Sequence, residues 1–293
     1  MRIVFIGSVL FSARALRELI AMGANVVGVC TLSTSIFNAD HEDLTPIAKR
    51  AGIPVHSAAD LHSQESINWI SSLLPDVIFC FGWSRLIREP LLSLPPFGII
   101  GFHPSGLPAN RGRHPIIWAL VLGLDETAST FFRMDGGADS GDIISQVKLS
   151  INPSDNARTL YERISKLAMI QLRDFVPRLA NSSIQPTPQV HSLANTWRKR
   201  GLADGRIDWR MAASSIHNLV RGLTRPYVGA HFDYDQQTIK VWQTEIEPKA
   251  PVNLEPGKVL QVDKHSLLVK AGIGAIWLLD YDPIITVPPG SYL

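Results

Sequence analysis

The chain has 293 residues, 45% of them apolar and 18% charged, with a formal net charge of +2. That balance belongs to a globular protein with a real core. It excludes a disordered or coiled-coil chain and any strong overall attraction to nucleic acid or an anionic membrane, so a nucleic-acid contact would need a local basic patch.

Residues 2–7 (R-I-V-F-I-G) read as a short buried strand, residues 10–22 carry apolar side chains at helical spacing, and residues 25–31 (N-V-V-G-V-C-T) read as a second strand. The N-terminus enters this strand without the basic and apolar regions of a signal peptide. No membrane-length apolar run follows, so a cytoplasmic protein with no membrane partner is expected. The alternation continues with helices at 45–51 and 63–74 and strands at 76–81 and 97–103. A helix at 115–123, strands at 128–134 and 143–149, and a long helix at 154–179 capped by the Asn152-Pro153-Ser154 run complete the pattern. Alternating β and α elements predict an α/β fold, a doubly wound, mostly parallel sheet covered on both faces by helices. In such sheets ligands bind beyond the carboxyl ends of the strands.

From residue 181 the chain turns polar and proline-containing, which reads as a linker over 181–203 between a domain at 1–180 and a smaller one at 204–293. The latter begins with an amphipathic helix at 211–223. Short β-like runs at 230–234, 238–244, 257–262, 266–271 and 275–281 follow and predict a small β-rich, barrel-like domain. The two cysteines, Cys30 and Cys80, end apolar runs and read as buried hydrophobes rather than a disulfide or metal pair. No ligand set for a metal is found.

Three constellations can carry chemistry. The first is F-I-G-S-V-L-F-S (residues 5–12), a glycine turn at a helix start that can meet a phosphate but lacks the G-x-G-x-x-G spacing of a dinucleotide site; a plain strand-to-helix turn is the alternative. The second is His103, aimed from a strand end into a loop rich in Pro and Gly; a single histidine in that place is commonly structural. The third is D-G-G-A-D-S-G-D (residues 135–142), too short for an EF-hand loop. Together the last two offer a histidine and a carboxylate at ends of strands in one sheet, the arrangement needed for a base whose imidazolium has a partner. Of the nine histidines, seven have no motif around them; His103 and His114 are the exceptions.

The stretch H-P-S-G-L-P-A-N-R-G-R-H-P, followed by M-D-G-G-A-D-S-G-D-I, resembles the formyltransferase family that uses N10-formyltetrahydrofolate, whose pattern is N-x-H-P-S-L-L-P and then D-x-G-x-D-x-G-D. The resemblance covers the first domain well. It reaches the second through D-G-R-I-D-W (204–209) and T-R-P-Y-V-G-A (224–230). It implies a Rossmann-like fold, a one-carbon transfer to an amine and no metal. His103 falls on the family's catalytic histidine, Asp139 on its aspartate and Gly101 on its asparagine. This last departure removes an amide expected to hold the formyl oxygen as charge develops. The His103 imidazolium, a backbone N–H of the loop or a water are the candidate substitutes.

By the same resemblance the folate is held between the residues 81–87 run, with Phe81, Trp83, Leu86 and Ile87, and the acidic loop, with Asp135, Gly136 and Asp142. Within the family, R-G-R-H-P-I-I-W-A-L (111–120) looks most like enzymes acting on amino sugars of surface polysaccharides. Arg111, His114 and Asn38 would then face the sugar, with Gly7, Ser8 and Ser12 meeting a nucleotide phosphate. Methionyl-tRNA formyltransferase is the alternative acceptor class, supported by overall length, a C-terminal domain and R-K-R at 198–200. A folate- or sugar-nucleotide-binding relative without turnover and a nicotinamide-dependent dehydrogenase are the readings from other classes; the latter lacks its glycine fingerprint. A homodimer is expected only from general frequency.

Overall fold

The computed structural model describes residues 1–34, 40–57 and 59–293. In chain order the elements are β1 (Ile3–Ile6), α1 (Leu10–Ala21), β2 (Val26–Thr31), α2 (Thr45–Arg50), β3 (Val55–Ser57), α3 (Gln64–Ser72), β4 (Val77–Cys80), β5 (Ile99–His103), β6 (Arg111–Gly112), α4 (Pro115–Val121), β7 (Glu126–Arg133), β8 (Ile143–Ser150) and α5 (Ala157–Ala180). They continue with β9 (Thr196–Trp197), α6 (Ala213–Leu223), β10 (Ala230–Tyr234), β11 (Gln237–Glu247), β12 (Val259–Asp263), β13 (Ser266–Lys270) and β14 (Ala275–Asp282). The chain forms two compact units, one of Met1–Gly112, Thr127–Leu149 and Glu162–Trp197, the other of Arg113–Glu126, Ser150–Tyr161 and Arg198–Leu293. These units are not contiguous in sequence, so they divide the chain differently from a single boundary near residue 180.

The first unit is built on a seven-stranded sheet in the order β3-β2-β1-β4-β5-β7-β8. Strands β3 through β5 are parallel, and β7 runs antiparallel to β5. All four residues of β1 and of β4 are buried, as expected of central strands covered on both faces. Helix α1 turns Phe11, Ala15, Leu16 and Leu19 inward at helical spacing. It stops because Gly23 takes a left-handed φ of 69°, which lets the N–H groups of Gly23 and Ala24 reach the carbonyls of Ile20 and Leu19, each at 3.0 Å. Short β3 was not anticipated, since V-H-S has no apolar alternation to mark it.

Helix α5 corrects the expected cap. Its N-cap is Asn156, whose Oδ1 accepts from the N–H groups of Arg158 and Thr159 at 3.0 and 3.1 Å, while the N–H of Asn152 donates to Asp155. The segment expected as a linker is also ordered: β9 pairs in parallel with β6, and Thr187 exchanges main-chain hydrogen bonds with Ile143.

The second unit holds a five-stranded sheet in the order β10-β11-β14-β13-β12, antiparallel throughout. Its strands follow the expected runs closely, with β10 and β12 at the two ends of the order. Ile216, Leu219, Val220 and Leu223 of α6 share one core with Phe232, Ile239, Val241, Val269 and Leu278 of the sheet. A helix covering one face lets the other alternate to polar residues, which is the pattern of β11.

Candidate active site

Alternation along β5 puts Ile99, Gly101 and His103 on one face and Ile100 and Phe102 on the other. The strand ends at His103 because Pro104 follows without an N–H, and the chain turns at Ser105, whose N–H donates to the His103 carbonyl at 2.9 Å. The Thr130 hydroxyl donates to the Ser105 carbonyl at 2.6 Å, and the Gln146 carboxamide donates to the Leu107 carbonyl at 2.9 Å, so the loop is tied to β7 and β8.

His103 is only 5% exposed. Its Nε2 lies 2.8 Å from the carbonyl oxygen of Asn110, and because a carbonyl only accepts, Nε2 carries the proton. Its Nδ1 lies 3.5 Å from Oδ2 of Asp139, and that same oxygen accepts the N–H of Gly112 at 2.9 Å. Nδ1 is therefore the ring atom at which a proton can be taken and returned, and the carboxylate is placed to hold the imidazolium that results. The acidic loop does not leave the sheet where parallel strands would. Strand β7 is antiparallel, so Arg133 pairs with Ile100 near the start of β5, and the loop comes back to bring Asp139 to His103.

Gly101 lies two residues before His103, and a Cβ there would stand 3.0 Å from the Phe132 ring and from Cγ of Met134. The space into which the family's asparagine would project is thus bounded by two apolar side chains, and no carboxamide takes its place at this position.

The other expected residues divide. Asp135 accepts from the Gly137 N–H at 2.9 Å and the Ser140 hydroxyl at 2.6 Å, which shapes its loop, and Asp142 accepts the Arg133 N–H through its carbonyl at 2.8 Å. Gly136 has nothing within 4 Å of where a Cβ would stand. Around the expected folate slot, Trp83 is half-buried and packs against the core that holds Ile87, while Leu86 is 46% exposed. Phe81 and Ile87 do not line such a slot. Phe81 is fully buried with its ring 5.4 Å from Phe79 and 5.3 Å from Phe131, and Ile87 belongs to the neighbouring core.

At the expected phosphate cradle, Gly7 and Ser12 are taken up by the protein itself, while the Ser8 hydroxyl has no hydrogen-bond partner among the described residues. A Cβ at Gly7 would meet the Phe81 carbonyl and the Ser12 side chain at 2.5 Å, and the buried Ser12 hydroxyl donates to that carbonyl while accepting the Val9 N–H at 3.2 Å. Ser8 is buried as well. Asn38 lies outside the described residues. Arg111 is buried and spends its guanidinium on Gln189 and His191, so it holds the site together rather than facing an acceptor. His114 belongs to the second unit, where it precedes α4 in a left-handed conformation. Burial, and then Arg113, Arg200 and Lys199, hold its imidazole below the ordinary value. Among the described residues no three His, Cys, Asp or Glu side chains cluster as a metal site, and no helix is long and apolar enough to cross a membrane.

Residues 1–175 match the formyl transferase family, and residues 201–283 match the formyl transferase C-terminal domain. The chain belongs to the formyl transferase family. It is a formyltransferase enzyme, and the family's formyl donor is N10-formyltetrahydrofolate. It is 32% identical to the methionyl-tRNA formyltransferase of Citrifermentans bemidjiense over 100% of this chain and 93% of that protein. It is also 32% identical to that of Desulforamulus reducens over 94% of this chain and 88% of that one. Among solved structures, the sugar 3N-formyl transferase WlaRD, determined with dTDP and 5-N-formyl-THF, superposes with a TM-score of 0.74 over 97% of this chain and 99% of its own, at 15% identity.

These likenesses correct the expected acceptor. The amino-sugar reading drew on a short local stretch, whereas the relatives alike along the whole chain are methionyl-tRNA formyltransferases; the sugar enzyme, at 15% identity, shares the fold alone.

Proposed function

We propose that this formyltransferase transfers the formyl group of N10-formyltetrahydrofolate to the α-amine of methionyl-tRNA. The observation that carries the proposal is the 32% identity to methionyl-tRNA formyltransferases over both domains. The net charge of +2 means that tRNA must be met by local patches. The second unit offers a narrow one: Lys199 is exposed, while Arg198 is ion-paired with Asp204 and Arg200 is buried against the Trp118 ring. In this reading the first unit carries the chemistry and the second contributes to holding the tRNA, in the cytoplasm.

The reaction has three requirements: the amine loses a proton, negative charge builds on the formyl oxygen, and the donor nitrogen gains a proton as its bond to the formyl carbon breaks. His103 takes the amine proton at Nδ1 and returns it to the leaving nitrogen, so no net proton is consumed. Asp139 holds the imidazolium in between. With Gly101 offering no side-chain donor, stabilising the oxyanion falls to the protonated ring in this proposal. Trp83, Leu86, Asp135, Gly136 and Asp142 are assigned to folate binding in the same proposal.

The test offers methionyl-tRNA, nucleotide-linked amino sugars and free amino sugars separately and reads tetrahydrofolate release. Release with methionyl-tRNA is expected; release with a sugar and none with tRNA would sink the acceptor assignment.

A further inference from the structure

We propose that the segment from Gln189 to Asn195 is the positioning element of the His103–Asp139 pair, with Gln189 and Asn195 as its two positioning residues; the inference rests on the reading of that pair as the proton-handling unit. The two residues that face the two ring nitrogens of His103 share an uncommon backbone. Asp139, opposite Nδ1, has φ 54°, and Asn110, whose carbonyl meets Nε2, has φ 64°. Non-glycine residues persist in the left-handed region where their surroundings over-determine them. Here each is held by one end of the same outer segment.

Gln189 is 6% exposed and its carboxamide is fully used. Its NH2 group donates to the carbonyl of Asp139 at 3.0 Å and to that of Gly141 at 2.6 Å, and its Oε1 accepts from Nε and Nη2 of Arg111 at 3.2 and 2.6 Å. Two N–H donors on carbonyls and one oxygen on a guanidinium also settle which way the amide points. At the other end, Oδ1 of Asn195 accepts the N–H of Asn110 at 2.8 Å, and its carbonyl accepts the N–H of Arg111 at 3.0 Å. Arg111 donates once more, to Nδ1 of His191 at 3.1 Å. The carbonyl of Asn110 is thereby aimed at Nε2 and the carboxylate of Asp139 at Nδ1. Displacing either turns or frees the ring, and small misplacements of reacting groups are costly in rate.

A residue that merely stapled the fold would lower stability without separating kcat from KM. The decisive variants are two isosteric changes and one truncation. Gln189→Glu keeps an acceptor for Arg111 but has no N–H for the Asp139 and Gly141 carbonyls. Asn195→Asp keeps the accepting oxygen that Asn195→Ala removes. In folded protein, kcat is expected to fall by about 100-fold in Gln189→Glu and about tenfold in Asn195→Ala, with KM for N10-formyltetrahydrofolate within about twofold, and Asn195→Asp is expected to rescue the loss. The proton resonance of the His103 Nε2–H should move or broaden in the first two variants and return in the third.

Unchanged kcat and an unmoved ring resonance in Gln189→Glu or Asn195→Ala would overturn the proposal, as would equal losses in Asn195→Ala and Asn195→Asp. If Gln189→Glu does not fold, the Asn195 pair decides. Normal turnover in His103→Ala would instead defeat the underlying reading of the pair, while the ring resonances would still report whether the segment holds the histidine.

Discussion

Nδ1 of His103 stands 3.5 Å from Oδ2 of Asp139, within ion-pair range but longer than a good hydrogen bond. The side chains are 6% and 21% exposed, so the pair is sheltered on the histidine side and reachable on the carboxylate side. His103→Ala and Asp139→Asn are each expected to lower turnover by about 100- to 10,000-fold while leaving folate affinity within a few-fold. Single-turnover formyl transfer and equilibrium folate titration separate the two effects; near-normal turnover in either variant defeats the assignment.

Gly101 carries a steric prediction. A Cβ there would lie 3.0 Å from both the Phe132 ring and Met134, and Phe132 is 3% exposed with little room to retreat. Gly101→Ala is expected to destabilise the protein by about 1–3 kcal/mol through overpacking. Urea unfolding gives the value, and an unchanged midpoint would mean that Phe132 and Met134 yield freely.

Both thiols are predicted to be inert in the folded protein. Burial pushes Cys30 and Cys80 up to about 12, with the nearby Cys80 adding to the effect on Cys30. The thiolate is the reactive form, so neither should react with a thiol-exchange reagent at pH 8 over minutes, and both should titrate once the chain is unfolded. Rapid release of one equivalent from native protein would contradict this.

His217 makes stability depend on pH. Burial, and then Arg221, hold its imidazole below the ordinary value of 6.5, with the contact to Thr244 acting weakly in the opposite sense. Between the lowered folded value and 6.5 the unfolded chain binds more protons, so stability declines as pH falls below about 6.5 and this group adds no slope above it. His217→Gln should flatten the decline seen in urea midpoints between pH 7 and pH 5. The flattening is partial, because His114 and His231 are lowered in the same direction. An identical slope in the variant would remove His217 from the account.

Much of the fold was legible because the information is local. Buried runs such as Ile3–Ile6 and Val77–Cys80 mark central strands, helical spacing marks α1, and the five strands of the second unit fall close to the runs that predicted them. His103 was legible for the same reason: an apolar run stops at a polar residue and Pro104 follows. What burial does to individual side chains was not. Phe81 and Ser12 lie in stretches that suggest ligand contact, yet one is packed among phenylalanines and the other is bonded to the Phe81 carbonyl.

By itself the sequence determined the parallel α/β core and the β-rich second domain, because periodicity and turn residues act over a few neighbours, while the pairing of His103 with Asp139 was implied by the family resemblance. Only the tertiary structure decided how that pair is held. Gln189 and Asn195 sit in a polar, proline-containing stretch with no periodicity, and their order comes from partners 78, 50 and 85 residues away. Hydrogen bonds that close across such distances leave no local pattern to read, because their partners are neighbours only after the sheet has formed.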